Sequence, residues 1–272
     1  MHAEPIDRPA AATGQVGTDA AQTYEQFFVP ALFGQWVEPM LDAVNPARGE
    51  RLLDIGTGTG AVARAALARV GAAGSVIAVD PNDGMLAIAA RLAPSLDVRR
   101  GVAEQLPLAD NEVDCATCQF ALMFFEDPAL ALAEMARVIR PAGRLAVATW
   151  VAVEESPGYA AMVDLLGEVL GDWAAEALRA PFRIGTAEQL GDLMRPSFPD
   201  VVVRRHQGRA RFASLDTWLH TDIRGWTLAE HVDDEQFSRL RDRARVRLNR
   251  FVDHNGQVSF PTPALIATAR AA

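Results

Sequence analysis

Leu52-Leu53-Asp54-Ile55-Gly56-Thr57-Gly58-Thr59-Gly60 is the stretch on which the reading of this chain turns. An apolar run carrying a carboxylate meets three glycines at alternate positions, and the alanine-rich residues 61–70 follow. Glycine tolerates the positive φ of a tight turn and lets another molecule approach the backbone, while a helix opening behind it presents unpaired N–H groups. The stretch predicts a strand, a ligand-holding turn and a helix. The next apolar run, Ile77-Ala78-Val79-Asp80, ends on a second carboxylate about 20 residues beyond the glycines, where both hydroxyls of a ribose can be bound.

Outward from this point a regular beat appears. Short apolar runs at 51–55, 75–79, 96–100, 113–120 and 144–149 predict strands, and each of the first four precedes a stretch suited to a helix or to a loop entering one. Strand alternating with helix predicts an α/β fold, with a parallel sheet covered on both faces. Gly71 closes the first helix, Asn82 or Asp83 caps the second and Pro94 stops it; Asp127-Pro128 opens another, ended by Pro141 and Gly143. Upstream, Phe28, Phe33, Trp36, Val37, Met40 and Leu41 fall at helical spacings, with Pro30 and Pro39 as interruptions. Residues 1–20, rich in Ala, Gly, Pro and Thr without periodicity, read as a disordered or loose segment, and 21–272 as one domain. Beyond Trp150 the beat breaks. Residues 154–195 read as largely helical, 201–206 as a strand, 214–224 and 234–252 as helices and 258–269 as a terminal strand. Residues 207–256 are then a helical cap insertion over the site.

Composition narrows the partners. The 272 residues carry a net charge of −9 and a pI near 5.1, so the surface repels nucleic acid and anionic membranes and favours a small-molecule partner. No apolar stretch approaches the ~20 residues of a membrane span, and no basic segment leads into an apolar run at the start, so a cytoplasmic location is expected. Cys115 and Cys118 sit in a predicted buried strand, where residues three apart point to opposite faces. With no second ligand pair nearby they read as core thiols, and no metal is expected. The sequence leaves the oligomeric state open.

Two cofactor classes compete for the glycine turn. Gly56, Gly58 and Ala61 also satisfy the dinucleotide pattern G-x-G-x-x-G/A, which suits an NAD-dependent oxidoreductase. Asp54 separates the two readings. A carboxylate immediately ahead of the glycines repels a docked pyrophosphate, by about 1–4 kcal/mol at ~4 Å. S-adenosyl-L-methionine has no phosphate and carries an ammonium and a sulfonium, so the same carboxylate attracts it. The chain also contains no lysine, hence no catalytic Tyr-x-x-x-Lys pattern.

Asp54-Ile-Gly-Thr-Gly-Thr-Gly60, Asp80, Gly101-Val-Ala-Glu-Gln-Leu-Pro107, Asp114-Cys-Ala-Thr-Cys-Gln-Phe120 and Arg140-Pro-Ala-Gly-Arg-Leu145 together resemble, in order and spacing, the class I S-adenosylmethionine-dependent methyltransferases, particularly the quinone-biosynthesis-like group. The resemblance covers residues 20–150. It implies a Rossmann-like, doubly wound seven-stranded sheet with its last strand antiparallel. It also implies that Asp54 and Gly56 meet the methionine end of the cofactor, that Thr57 and Gly58 are cofactor-binding with them, that Asp80 takes the ribose, that Pro81 and Met85 pack near the adenine, and that Ala103 and Glu104 form its polar edge. Relatives often place Asp where Val102 stands, so Glu104 is the substitute for that contact. Gln119, at the carboxyl end of the fourth strand, is expected to line the donor pocket.

Other residues carry weaker expectations. Tyr24, Phe28 and Trp36 suit either closure over a sulfonium or plain helix packing. Met123, Phe124 and Phe125 read as core. His206, His220, His231 and His254 lie beyond the cofactor half; His220, between Trp218 and Trp226, reads foremost as a surface helix residue, and no catalytic base is assigned. The arginines from Arg239 to Arg250 read as a solvated helix face. Methyl transfer from sulfonium to a small, apolar or aromatic acceptor, giving S-adenosyl-L-homocysteine, is the implied activity. A non-methylating protein that retains S-adenosylmethionine is the other alternative to an oxidoreductase.

Overall fold

Leu52, Leu53 and Ile55 are apolar on both faces of their strand, and such a strand must be covered on both sides. In a computed structural model that describes residues 18–225, 228 and 231–272, β1 (Arg51–Ile55) occupies the interior of a seven-stranded sheet. The remaining strands are β2 (Ser75–Asp80), β3 (Asp97–Arg100), β4 (Val113–Gln119), β5 (Ile139–Trp150), β6 (Val202–His206), β7 (Arg209–Phe212), β8 (Val258–Pro261) and β9 (Ala264–Arg270). The sheet runs β3-β2-β1-β4-β5-β9-β6, with β1 to β5 parallel and β9 antiparallel to both β5 and β6. This is the expected doubly wound sheet with its last strand reversed. Chain order reverses between β1 and β4, and the carboxyl ends of strands at such a switch point form a crevice.

Residues 18–20 begin helix α1 (Thr18–Thr23), and the rest of the expected loose segment lies outside the described residues, as does Trp226. Pro30 does not interrupt: it lies within a π-helical stretch, Tyr24–Phe33. Pro39 sits in the first turn of α2 (Val37–Val44), where a missing N–H leaves no bond unmade. Helices α3 (Ala61–Val70) and α4 (Asp83–Leu92) follow β1 and β2; Gly71 caps the first, and Asn82 Oδ1 accepts from Met85 N at 3.0 Å to cap the second. Asp127 caps α5 (Pro128–Val138), accepting from Leu130 N at 3.0 Å.

Helix α5 ends before Pro141 and Gly143, which lie instead within β5. The register of β5 on β4 shifts beside Val113 and Cys115, and such an irregularity accommodates a proline that cannot donate to the ladder. Strand β4 stops at Gln119 because Phe120 turns to φ +54.

Helices α6 (Pro157–Leu170), α7 (Asp172–Arg179) and α8 (Ala187–Met194) fill the expected helical stretch. The segment 207–256 is not wholly helical. Beside α9 (Leu215–Arg224) and α10 (Asp234–Arg247) it contains β7, which pairs with β8 in a two-stranded ribbon. The expected single strand at 258–269 is therefore two: β8 joins the ribbon and β9 the main sheet, with a break at Thr262 and Pro263, where Thr262 N donates to the Gly208 carbonyl at 2.8 Å. One apolar core connects sheet and cap, running from Phe28 to Ala271. Each fully buried Leu, Ile or Phe in it contributes about 1.5–3 kcal/mol. Among the described residues no helix is long and apolar enough to cross a membrane.

Candidate cofactor site

The glycine turn is built as its sequence requires. Gly56, Gly58 and Gly60 hold φ of +63°, +54° and +82°, and Gly60 caps α3. A Cβ at Gly56 would lie 2.4 Å from the Cβ of Ala121, so strand β1 and the loop after β4 approach too closely for any side chain. At Gly58 a Cβ would meet only the Tyr24 ring, at 3.8 Å. It would stand in the cavity that Gly58 and Tyr24 both line.

That cavity, about 380 Å³, opens at the switch point between β1 and β4. Of the residues expected to hold a cofactor, Tyr24, Gly56, Gly58 and Asp80 line it, as do Pro81, Met85, Ala103 and Glu104. Asp54, Thr57 and Gln119 do not.

Asp80 closes β2 and is 8% exposed. Its Oδ2 accepts from Gly58 N and its Oδ1 from Asn82 N, both at 2.9 Å. A carboxylate offers about four acceptor positions, so both oxygens keep capacity for hydroxyl donors. Burial raises its pKa, and the two backbone N–H groups oppose the rise.

Asp54 lies beneath the turn. Its Oδ1 accepts from Thr117 Oγ1 at 2.7 Å and its Oδ2 from Thr57 Oγ1 at 2.6 Å. Burial pushes its carboxyl up to about 6 in spite of these hydroxyls. It ties β1, β4 and the turn together, and is not part of the wall. Gln119 is half-buried, and its Oε1 is buried without a hydrogen-bond partner among the described residues.

The wall carries a charge pattern that reading along the chain did not reveal. Among the described residues its ionisable side chains other than Tyr24 are Asp80, Glu104 and Glu126, and no arginine lines it. Glu104 Oε1 accepts from Glu126 N at 2.8 Å and Asp127 N at 3.3 Å, so one oxygen orders the loop that brings Glu126 to the cavity. Val102, 46% exposed, also lines it, at the position where the family pattern often has Asp.

Phe124 and Phe125, read from sequence as core, are half-buried wall residues; only Met123 is core. A short apolar run after a strand end does not distinguish core from cavity lining. Phe120 was also missed. It stands on the wall at φ +54, a conformation that costs a bulky residue about 1–3 kcal/mol, and its N–H donates to the Ala148 carbonyl at 3.0 Å.

A second, apolar chamber of about 40 Å³ adjoins the first, walled by Phe28, Leu32, Phe33, Trp150, Tyr159 and Phe182 together with Asp222. Phe33 lines both. Of the three helical aromatics, Tyr24 therefore faces the acidic cavity and Phe28 the apolar one, while Trp36 is packed in the core. None of His206, His220, His231 and His254 lines either cavity; His220 is exposed, its ring edge-on to Phe27 at 6.4 Å. On α10, Leu240 is buried, Arg243 and Arg247 pair with Glu168, and Arg245 pairs with Asp242, as a solvated helix face does. Cys115 and Cys118 are buried free thiols whose pKa burial pushes up to about 12.

Comparison with known proteins shows what the chain is similar to. Residues 53–147 match the family described as "Methyltransferase domain". The demethylmenaquinone methyltransferase of Renibacterium salmoninarum is 40% identical over 114 residues, 42% of this chain and 47% of the relative. The chain thus spans about half the length of the curated relatives it matches. Phosphoethanolamine N-methyltransferase 2 of Haemonchus contortus, solved in complex with S-adenosyl-L-methionine, superposes with a TM-score of 0.59 at 16% identity, covering 94% of this chain and 58% of that one. The [4+2]-cyclase SpnF superposes with a TM-score of 0.53 at 18% identity, covering 87% and 81%. At such identities the likeness is one of fold.

Proposed function

We propose that this chain, whose residues 53–147 match the family described as "Methyltransferase domain", transfers the methyl group of S-adenosyl-L-methionine to a small apolar or aromatic organic acceptor. The observation that carries the reading is the cavity wall: a glycine turn whose neighbouring charges, Asp80, Glu104 and Glu126, are all carboxylates. Such a wall attracts an ammonium and a sulfonium and repels a pyrophosphate, which disfavours NAD.

Within this reading Asp80 accepts from the ribose hydroxyls, with Gly58 N and Asn82 N fixing its carboxylate. Gly58 leaves the space that a methyl group would fill. Pro81 and Met85 offer apolar contact to a base, and Glu104 a polar edge. Asp54 acts as a positioning residue through the Thr57 hydroxyl. Tyr24 stacks on Phe33, ring centroids 5.1 Å apart, and this aromatic pair lines the cavity and offers π-faces to a cation. When bound, the sulfonium supplies an electrophilic methyl carbon with a neutral thioether as leaving group. Alignment of the nucleophile with it supplies about 7–11 kcal/mol in favourable cases.

The acidic surface belongs to a protein of the cytoplasm whose partners are small molecules and not nucleic acid. Calorimetry on the purified protein with S-adenosyl-L-methionine and with NADH tests the cofactor: heat with the sulfonium alone is expected, and heat with NADH alone would overturn the reading. Formation of S-adenosyl-L-homocysteine in the presence of acceptors separates transfer from a merely retained cofactor.

A further inference from the structure

We infer that Asp222, in the apolar chamber beside the acidic cavity, is the group that meets the acceptor, and that the acceptor is a flat hydrophobic molecule bearing one acidic hydroxyl, a phenol or an enol, whose proton Asp222 removes. The inference rests on the methyl-transfer reading and names its substrate class.

Three features of Asp222 are unusual for a structural residue. It is 5% exposed among aromatic and aliphatic side chains, where an uncompensated charge is unfavourable. Its Oδ2 accepts one hydrogen bond, from Trp218 Nε1 at 2.7 Å, while no described residue bonds to Oδ1. Among the described residues no cation pairs with it: Arg224, on the same helix, is engaged by the Val232 carbonyl and Asp234. Burial pushes the carboxyl up to about 7, so it exchanges a proton near neutral pH. The other titratable group on the chamber wall, Tyr159, is held neutral by burial and by the charge of Asp222, and serves as a hydroxyl donor.

Position completes the argument. Phe33 is common to both cavities, and Phe120 of the acidic cavity stacks on Trp150 of the chamber at 3.7 Å. The chamber holds only a few water molecules at about 40 Å³, so an aromatic acceptor seats by displacing Phe33 and spans the two spaces. In the transfer step the hydroxyl O–H breaks and its proton passes to the Asp222 carboxylate. An oxygen lone pair, or the enol carbon, forms the new bond to the methyl carbon, and the C–S bond breaks with its electron pair left on sulfur. The carboxyl returns the proton to solvent once the product leaves.

Quenching of the fluorescence of Trp150 and Trp218 tests this with 4-nitrophenol and 4-nitroanisole, in which a methyl group replaces the hydroxyl proton at issue. Wild-type protein is expected to bind the phenol tighter than the ether by about tenfold or more, the size of one hydrogen bond to a charged group, and Asp222→Asn to abolish that preference without changing affinity for 4-nitroanisole. Equal binding of the two probes by wild type, failure of 4-nitrophenol to bind, or an unchanged preference in Asp222→Asn overturns the inference. The wild-type comparison stands even if the variant fails to fold. Neither probe measurement needs the methyl donor, so a protein that discriminates the phenol but takes up no S-adenosyl-L-methionine defeats the methyl-transfer reading separately.

Discussion

Phe120 and Trp150 lie face to face, ring centroids 3.7 Å apart and planes 10° from parallel, and this pair separates the acidic cavity from the apolar chamber. Phe120 reaches the stack only by adopting φ +54 directly after β4. Replacing it with glycine relieves the backbone but removes the ring. We expect Phe120→Gly to lose the stacking and burial, a net destabilisation of about 2–4 kcal/mol in urea unfolding, because the lost ring outweighs the relieved strain.

Asp80→Asn keeps the shape of the side chain and withdraws its charge. Asparagine has one acceptor oxygen where Gly58 N and Asn82 N now use two, so its NH2 faces one of these N–H groups and at most one acceptor position is left for the ribose hydroxyls. Each charge-assisted bond is worth about 1.5–3 kcal/mol, so affinity for S-adenosyl-L-methionine is expected to fall by about ten- to a hundredfold or more in calorimetry.

Gly58→Ala tests the cradle. The φ of +54° costs a residue with a Cβ about 1–2 kcal/mol, and the methyl points toward Tyr24 across the cavity. The expected result is a small loss of melting temperature with a disproportionate loss of cofactor binding. A variant that melts lower yet binds unchanged would remove Gly58 from the site.

The Asp54 and Asp222 carboxyls are both shifted upward, to about 6 and about 7, each chiefly by burial. A carboxyl whose folded pKa exceeds its unfolded value binds its proton more tightly in the folded state. Its stabilising contribution is complete below pH ~4 and is lost as pH rises through the folded pKa. Asp222→Asn should therefore be more stable than wild type above pH 7, by up to about 4 kcal/mol, with the gap closing toward pH 4. Chemical denaturation across that range measures it. A constant difference would mean that Asp222 titrates normally.

Much of this was legible along the chain. The glycine turn, the acid closing β2, the caps at Asn82 and Asp127 and the parallel order of β1 to β5 follow from local chemistry with a strong sequence signature. The role of Asp54 did not follow. A carboxylate before a glycine turn can face the ligand or the hydroxyls beneath it, and Thr117, which holds it at 2.7 Å, is 63 residues away. The division of 258–269 into β8 and β9 depends on partners in β5, β6 and β7, and the wall positions of Phe124 and Phe125 on what the cap leaves uncovered. These are long-range facts without local periodicity.

Phe33 is the ring whose removal should merge the two cavities. It lies 5.1 Å from Tyr24, 5.7 Å from Phe120 and 5.9 Å from Trp150, centroid to centroid, so it fills the junction of both walls. Phe33→Ala opens a void that its stacked neighbours cannot fully close, at a cost of about 3–5 kcal/mol. Binding of the sulfonium donor depends on Asp80 and the glycine turn, so it should weaken only modestly, whereas 4-nitrophenol should enter without displacing a ring and bind tighter than to wild type. A loss of donor binding equal to that of Asp80→Asn would mean instead that the Tyr24–Phe33 stack holds the cofactor, and that the chamber has no opening at this point.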